Sequence, residues 1–254
     1  MQPFNSSLGW LLLAASASFG IADAEARPTS GVLEVDQIFP RNETYAPTEF
    51  FPFIFAFQNS ALAPFVNPFI AVTALNASDG FESVVGDFYD LRQVNISDHD
   101  PYFQWQIYGQ FQAEGKYTLR WTLHWSHCTV DSLASIDNKA TKNATTQLIT
   151  FTIAKGGQKV DLVAPTTNQE CLERAGVTVN VTRTLPIQPE IDWNGGDTCA
   201  VVSNSTRMPD PCKVNIDAAA ASSINAGIRK DGCRRNPNTT SFDCPVAKVH
   251  SPLE

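Results

Sequence analysis

From Gly31 to about Pro165 the chain is one short apolar run after another, separated by clusters of Gly, Pro, Asn and Asp. "VLEVDQIF" places Leu33, Val35 and Phe39 on one side of an extended segment. "FFPFIFAF", Phe50–Phe57, is apolar almost throughout, as a central strand buried on both faces is, with Pro52 near its start. "PFIAVTAL" follows after a turn-rich stretch. "YFQWQIYGQF" sets Phe103, Trp105 and Ile107 against Gln104 and Gln106, and "QLITFTIA" sets Ile149, Phe151 and Ile153 against Thr150 and Thr152. The runs are short and rich in aromatic and β-branched residues. About seven such strands without intervening helices predict an all-β fold, an immunoglobulin-like β-sandwich.

"GKYTLRWTLHWSHC", residues 115–128, belongs to that pattern. Tyr117, Leu119, Trp121, Leu123 and Trp125 share one face of a strand, and Lys116, Thr118, Arg120, Thr122 and His124 the other. "EGKYTL" resembles a tyrosine corner, although Leu119 stands where antibody domains place a cysteine. His124, His127 and Cys128 look like a metal or catalytic cluster only in one dimension. Strand alternation sends the two histidines to opposite faces, and His124 and Cys128 lie about 13 Å apart at ~3.3 Å per residue. His127 is expected at the edge of the core with one hydrogen bond, and Cys128 in a disulfide. A bridge from Cys128 to Cys171 would close a loop of about 43 residues and contribute ~4 kcal/mol.

Beyond Pro165 the character changes. "TNQECLERAG" predicts one helical turn stopped by Gly176, and "VTVNVTRTL" a strand with Val177, Val179 and Val181 inward and Asn180 outward. "LPIQPEIDWNGGDTC" predicts an irregular loop. "NIDAAAASSINAGIRKDGC" predicts a helix at about 217–230, capped by Asp217, ended by Gly232 and striped by Ile216, Ala220, Ile224 and Ile228. Disulfides are expected to clamp this helix onto the sandwich. The expected layout is a signal peptide at 1–24 (cleavage after Ala24 or Ala26), a β-sandwich at 31–198, and a cysteine-rich segment at 199–254.

The first residues, "MQPFNSSLGWLLLAASASFGIADAEA", combine an apolar run too short to span a bilayer with A-x-A cleavage patterns. The six cysteines, Cys128, Cys171, Cys199, Cys212, Cys233 and Cys244, lie in the second half without a C-x-x-C. In an oxidising compartment they read as three disulfides, with 15 possible connectivities. N-x-S/T sequons stand at Asn42, Asn76, Asn95, Asn143, Asn180, Asn204 and Asn238, besides one at Asn5 in the leader. Seven such sites predict a glycoprotein, each occupied site facing solvent. The formal net charge of −8 argues against nucleic acid, since "IRKDGCRR" is the one basic knot. No second apolar segment is long enough for a membrane span, so a secreted, soluble protein is expected.

Candidate chemistry is sparse. Asp98, His99 and Asp100 could do acid/base work or bind a cation, but read better as a solvated turn before Pro101 beside a glycan on Asn95. "DWNGGD", Asp192–Asp197, resembles half of a calcium loop and lacks the remaining oxygens. Trp193 within it is a candidate sugar-stacking platform or a plug between tail and sandwich. No G-x-S-x-G, H-E-x-x-H or P-loop occurs, so no catalytic residue, metal ligand or cofactor site is assigned.

"GVLEVDQIFPRNETYAPTEFFPFIFAFQN" (Gly31–Asn59), "GKYTLRWTLHW", "GDTCAVV" and "PCKVNIDAAAASSINAGI" resemble a family of secreted filamentous-fungal glycoproteins catalogued as a domain of unknown function. The resemblance spans about Gly31 to Cys244, and "FPRNETYAP" is its most specific part. It implies an extracellular or cell-surface fungal protein and carries over no catalytic residue. Many members of that family end in a hydrophobic tail exchanged for a GPI anchor. Here "PVAKVHSPLE" ends the sequence, so the expectation is a released protein without a GPI tail, or a gene model cut short. The expected function is non-catalytic, with cell-wall polysaccharide or an extracellular protein as partner. The rival expectations are a secreted hydrolase with a spatially assembled carboxylate site and a purely structural wall glycoprotein.

Overall fold

The computed structural model describes residues 29–91, 94–96, 99–134, 140–163, 175–187, 197–205 and 207–245. The expected signal peptide, Asp98, Cys171, Asp192 and Trp193 lie outside them. Among the described residues there are ten strands: β1 (Gly31–Phe39), β2 (Thr44–Tyr45), β3 (Phe51–Gln58), β4 (Phe69–Asn76), β5 (Glu82–Asp90), β6 (Tyr102–Tyr108), β7 (Gly115–His127), β8 (Thr141–Ile153), β9 (Gly176–Pro186) and β10 (Thr198–Val202). Sheet 1 has the order β10-β9-β1-β3-β6, and sheet 2 the order β2-β8-β7-β4-β5. The two stack as an immunoglobulin-like all-β sandwich. β2, β5 and β10 are strands beyond those read from the sequence, and sheet 1 continues through β10 to Val202.

The core lies between the sheets. Alternation points Phe51, Phe53, Phe55 and Phe57 of β3 inward, where Phe51 stacks on Phe151 at 5.2 Å and Phe55 meets Trp121 edge-on at 5.2 Å. Each buried ring contributes roughly 1.5–3 kcal/mol by removal from water, and each tilted or offset pair about 0.5–1.5 kcal/mol more. Tyr117, Leu119, Trp121 and Leu123 of β7 are buried as their parity requires. Tyr117 donates its hydroxyl to the Ala113 carbonyl at 3.0 Å, which is the bond a tyrosine corner makes. Pro52 sits in β3 beyond the stretch paired with β1, so its missing N–H costs no bond on that side.

β3 is apolar on both faces because sheet 1 carries a third layer. Ile54 and Ala56 point away from the sandwich interior and are still fully buried. Ile54 pairs with Trp105 of β6, and Trp105 packs against Gly227 of the C-terminal helix, Ala218–Arg235. A Cβ at Gly227 would lie 2.3 Å from Trp105 Cζ2, so this crossing tolerates only glycine. Ala221, Ile224 and Ile228 are buried on the helix face, and Ile216 is buried just before its cap. Asp217 caps the helix as its sequence suggests, accepting the Ala220 N–H at 2.7 Å. The helix does not stop at Gly232 but runs on to Arg235. Gly232 is small for packing, since a Cβ there would meet Phe242 Cε2 at 2.6 Å.

Two disulfides join described residues, and the suggested Cys128–Cys171 bridge is not one of them. Cys128 pairs with Cys199, 71 residues away. The Cys128 N–H donates to the Ala200 carbonyl at 2.8 Å, so the chain leaving β7 runs along β10 and presents Cys199. This bond ties sheet 2 to sheet 1. Cys233 pairs with Cys244 and closes the tail onto the end of the helix, not the helix onto the sandwich. Side chains anchor the helix and tail instead. Arg235 Nη1 donates to the Ile107 carbonyl at 2.7 Å, Phe242 stacks on Phe50 at 5.2 Å, and Glu49 accepts from Asn236, Thr239 and Ser241. Those three donors favour the ionised form and hold the Glu49 carboxyl below its ordinary pKa, Thr239 contributing most.

Candidate functional site

The histidines of β7 do not form a cluster. His124 lies on the outer face of sheet 2, its ring parallel to Phe69 at 4.2 Å. His127 lies on the opposite face, with Nδ1 bonded to Asn143 Nδ2 at 3.0 Å. Partial burial holds both imidazoles below the ordinary histidine pKa, so both are neutral at pH 7. Cys128 is a half-cystine.

Other polar groups are consumed by the fold. Asp100 Oδ1 accepts the Ser60 N–H at 3.2 Å, and the His99 carbonyl accepts the Ser60 hydroxyl, so this stretch clasps the connection after β3. "FPRNETY" closes a rim network. Arg41 pairs with Glu43 at 3.0 Å, Glu43 accepts the Tyr45 hydroxyl at 2.7 Å, and that hydroxyl accepts the Arg41 N–H. At the other rim, Tyr89 and Tyr108 share a hydroxyl contact of 2.8 Å, and Tyr108 donates to Asp87. Burial is the first cause that raises these tyrosine pKa values, which leaves the phenols protonated. Among the described residues no three His, Cys, Asp or Glu side chains converge.

The outer faces of the two sheets differ. On sheet 1 the segment around Asp210 crosses β1, its N–H bonded to Glu34, and Gln58 donates to Asp36 beneath it at 2.7 Å. The C-terminal helix covers β3 and β6, and a cavity of about 570 Å³ opens beside the Cys233–Cys244 bridge, lined in part by Arg229, Lys230 and Asp243. On sheet 2 nothing described lies over the strands. Register places Phe88, Ala71, Thr122 and Thr146 in one row across four strands. Asp90, Phe69, His124 and Ala144 form the row beside it, and Gly86, Thr73, Arg120 and Leu148 the row on the other side. Phe88 is 66% exposed and Leu148 61%. The Thr122 and Thr146 hydroxyls meet at 2.8 Å, which holds them level on the surface. The result is a bare floor on which Phe88, Phe69 and Leu148 are spaced among threonines, with Arg120 beside Leu148 and Asp90 beside Phe69.

Sequence reasoning missed this surface because it missed β5. Gly86, Asp87 and Asp90 break the apolar pattern there; the usable signal was Val85 and Tyr89 sharing one face with Phe88 on the other. The sequon asparagines lie elsewhere. Asn42, Asn95, Asn204 and Asn238 are exposed, and Asn76, Asn143 and Asn180 half-buried. Asn180 stands on the outer face of sheet 1 and Asn76 at the end of β4. Asn143 has the inward parity of β8, and the others are in connections or the tail. None projects from the floor formed by Phe88, Phe69 and Leu148.

A family model described as a domain of unknown function (DUF7136) matches residues 28–244. The chain belongs to the DUF7136 family. That match covers the sandwich, both described disulfides and the helix of this DUF7136 protein. No curated protein and no solved structure matches it. No helix among the described residues is long and apolar enough to cross a membrane.

Proposed function

We propose that this protein is a secreted, N-glycosylated extracellular or cell-wall-associated protein that binds polysaccharide on the outer face of sheet 2 without cleaving it. The observation that carries the reading is a bare face bearing exposed Phe88 and Leu148 and half-buried Phe69, from which no sequon projects. Large apolar side chains left bare on a face that nothing described covers support an interaction surface. Exposed Phe88 and the stacked Phe69–His124 pair offer apolar contact to sugar C–H groups, while Thr122, Thr146 and Arg120 offer hydrogen bonds on the same face. Disulfides favour an oxidising compartment, and the exposure of Asn42, Asn95, Asn204 and Asn238 suits a glycoprotein. The resemblance to secreted filamentous-fungal proteins points the same way.

The test is retention on insoluble glucan, chitin and mannan, with soluble reducing ends measured in the same tubes. Retention is expected, with about tenfold weaker binding when Phe69→Ala and Phe88→Ala are combined, corresponding to about 1.4 kcal/mol. Reducing ends released in step with protein would replace the reading with the hydrolase one. Absence of retention on every polymer would leave a structural wall glycoprotein.

A further inference from the structure

Among the described residues, strand β8 has an open edge. Its thirteen residues pair in unbroken register with β7, from Thr141 opposite His127 to Ile153 opposite Gly115. On its other side β2 covers only Thr152 and Ile153. The Thr152 N–H points to that outer side, since it donates to the Glu43 carbonyl. Strand geometry then aims the N–H and C=O groups of Lys142, Ala144, Thr146, Leu148 and Thr150 outward as well. No described strand receives them, and their side chains are exposed or half-exposed.

Exposed edges are normally blunted by charge, proline, bulges, shortness or cover. The other sheet edges obey this rule. β5 carries Glu82, Asp87, Asp90, Gly86 and a register shift. The Ile107 carbonyl of β6 is taken by Arg235, and β10 has only five residues. β8 has no proline, glycine or bulge, and Lys142 is its one charge.

We infer that two copies of this protein pair antiparallel through β8, joining their second sheets into one continuous sheet about a two-fold axis at Thr146. The edge is self-complementary in that register. Lys142 meets Thr150, Ala144 meets Leu148, and Thr146 meets its own copy, so no like charges oppose. The five outward residues of each copy satisfy one another's backbone groups, and exposed Leu148 gains an apolar neighbour. Asn143 points to the other face of β8 and is held by His127, away from the row of Leu148 and Thr146. The pairing stands independently of polysaccharide binding, and would set two aromatic floors side by side.

Sedimentation equilibrium of the full secreted chain, as produced and after enzymatic removal of N-glycans, tests it. A one-strand interface is at the small end of specific contacts, so a dimer is expected at roughly 10 μM and above. Thr146→Lys places two like charges on the axis and should weaken the dimer about tenfold or more. Thr146→Pro removes an outward N–H without removing a bond to β7, and should do the same. Unchanged circular dichroism and melting would show that both variants fold. A dimer in either glycan form that both variants weaken supports the pairing. Monomer in both forms up to about 100 μM overturns it, as does a dimer that both variants leave intact.

Discussion

The outer faces of the two sheets are built from the same kind of strand and end in opposite states. Sheet 1 hides Ile54 and Ala56, and partly covers Trp105, under a helix held by a glycine crossing, an arginine–carbonyl bond and a stacked phenylalanine. Sheet 2 leaves Phe88 and Leu148 in water beside a threonine pair. Apolar residues on the covered face contribute to stability; those on the bare face are free to contribute to recognition. Substitutions on the two faces should therefore separate stability from binding.

The largest effects belong to groups shared by both sheets. Phe51→Ala empties a site ringed by Phe39, Phe111 and Phe151 and should cost about 3–5 kcal/mol in denaturant unfolding. Replacing Cys128 and Cys199 together by serine should cost about 4 kcal/mol, and Cys233 with Cys244 about 3 kcal/mol, because the loops closed are 71 and 11 residues. On the covered face, Ile54→Ala should cost about 2–4 kcal/mol. Asp217→Ala, which uncaps the helix, should cost about 1 kcal/mol. On the bare face, Phe88→Ala should shift stability by no more than about 0.5 kcal/mol while weakening polysaccharide retention.

Acid should loosen the covered side through Glu49. The folded-state pKa of Glu49 is depressed below its ordinary 4.5, so its contribution is fully present above that value and is lost as pH falls through the lower folded value. Hydrogen exchange at Asn236–Ser241 should accelerate in that acid range, and Glu49→Gln should remove most of the pH dependence. Acceleration unchanged in Glu49→Gln would place the titrating group elsewhere.

Several of these features were legible in the residues. The alternation of "GKYTLRWTLHW" predicted which side chains of β7 are buried, and the two-faced apolarity of "FFPFIFAF" predicted a covered central strand. Asp217 announced its cap through a local bond to a residue three positions on. What stayed hidden depends on chain neighbours remote in sequence. Nothing near Cys128 specifies Cys199, because their meeting follows from β10 running beside the end of β7. Gly232 reads locally as a helix stop, and its packing against Phe242 exists only once the tail folds back. The floor of sheet 2 needs Phe88, Phe69 and Leu148 from three strands in register, and the polar edge strand that supplies Phe88 carries a weak period.

The most direct measurement places a glycan on the bare face. Ala71 lies between Phe88 and Thr122 in the central row, and Val72 and Thr73 follow it, so Ala71→Asn completes an N-x-T sequon there. With occupancy established by glycopeptide mapping and Ala71→Gln as the unglycosylated control, retention on the bound polysaccharide is compared. Glycosylated Ala71→Asn should melt like the control and lose retention, while the control keeps it. Full retention with a glycan mapped at position 71 would contradict the assignment of this face.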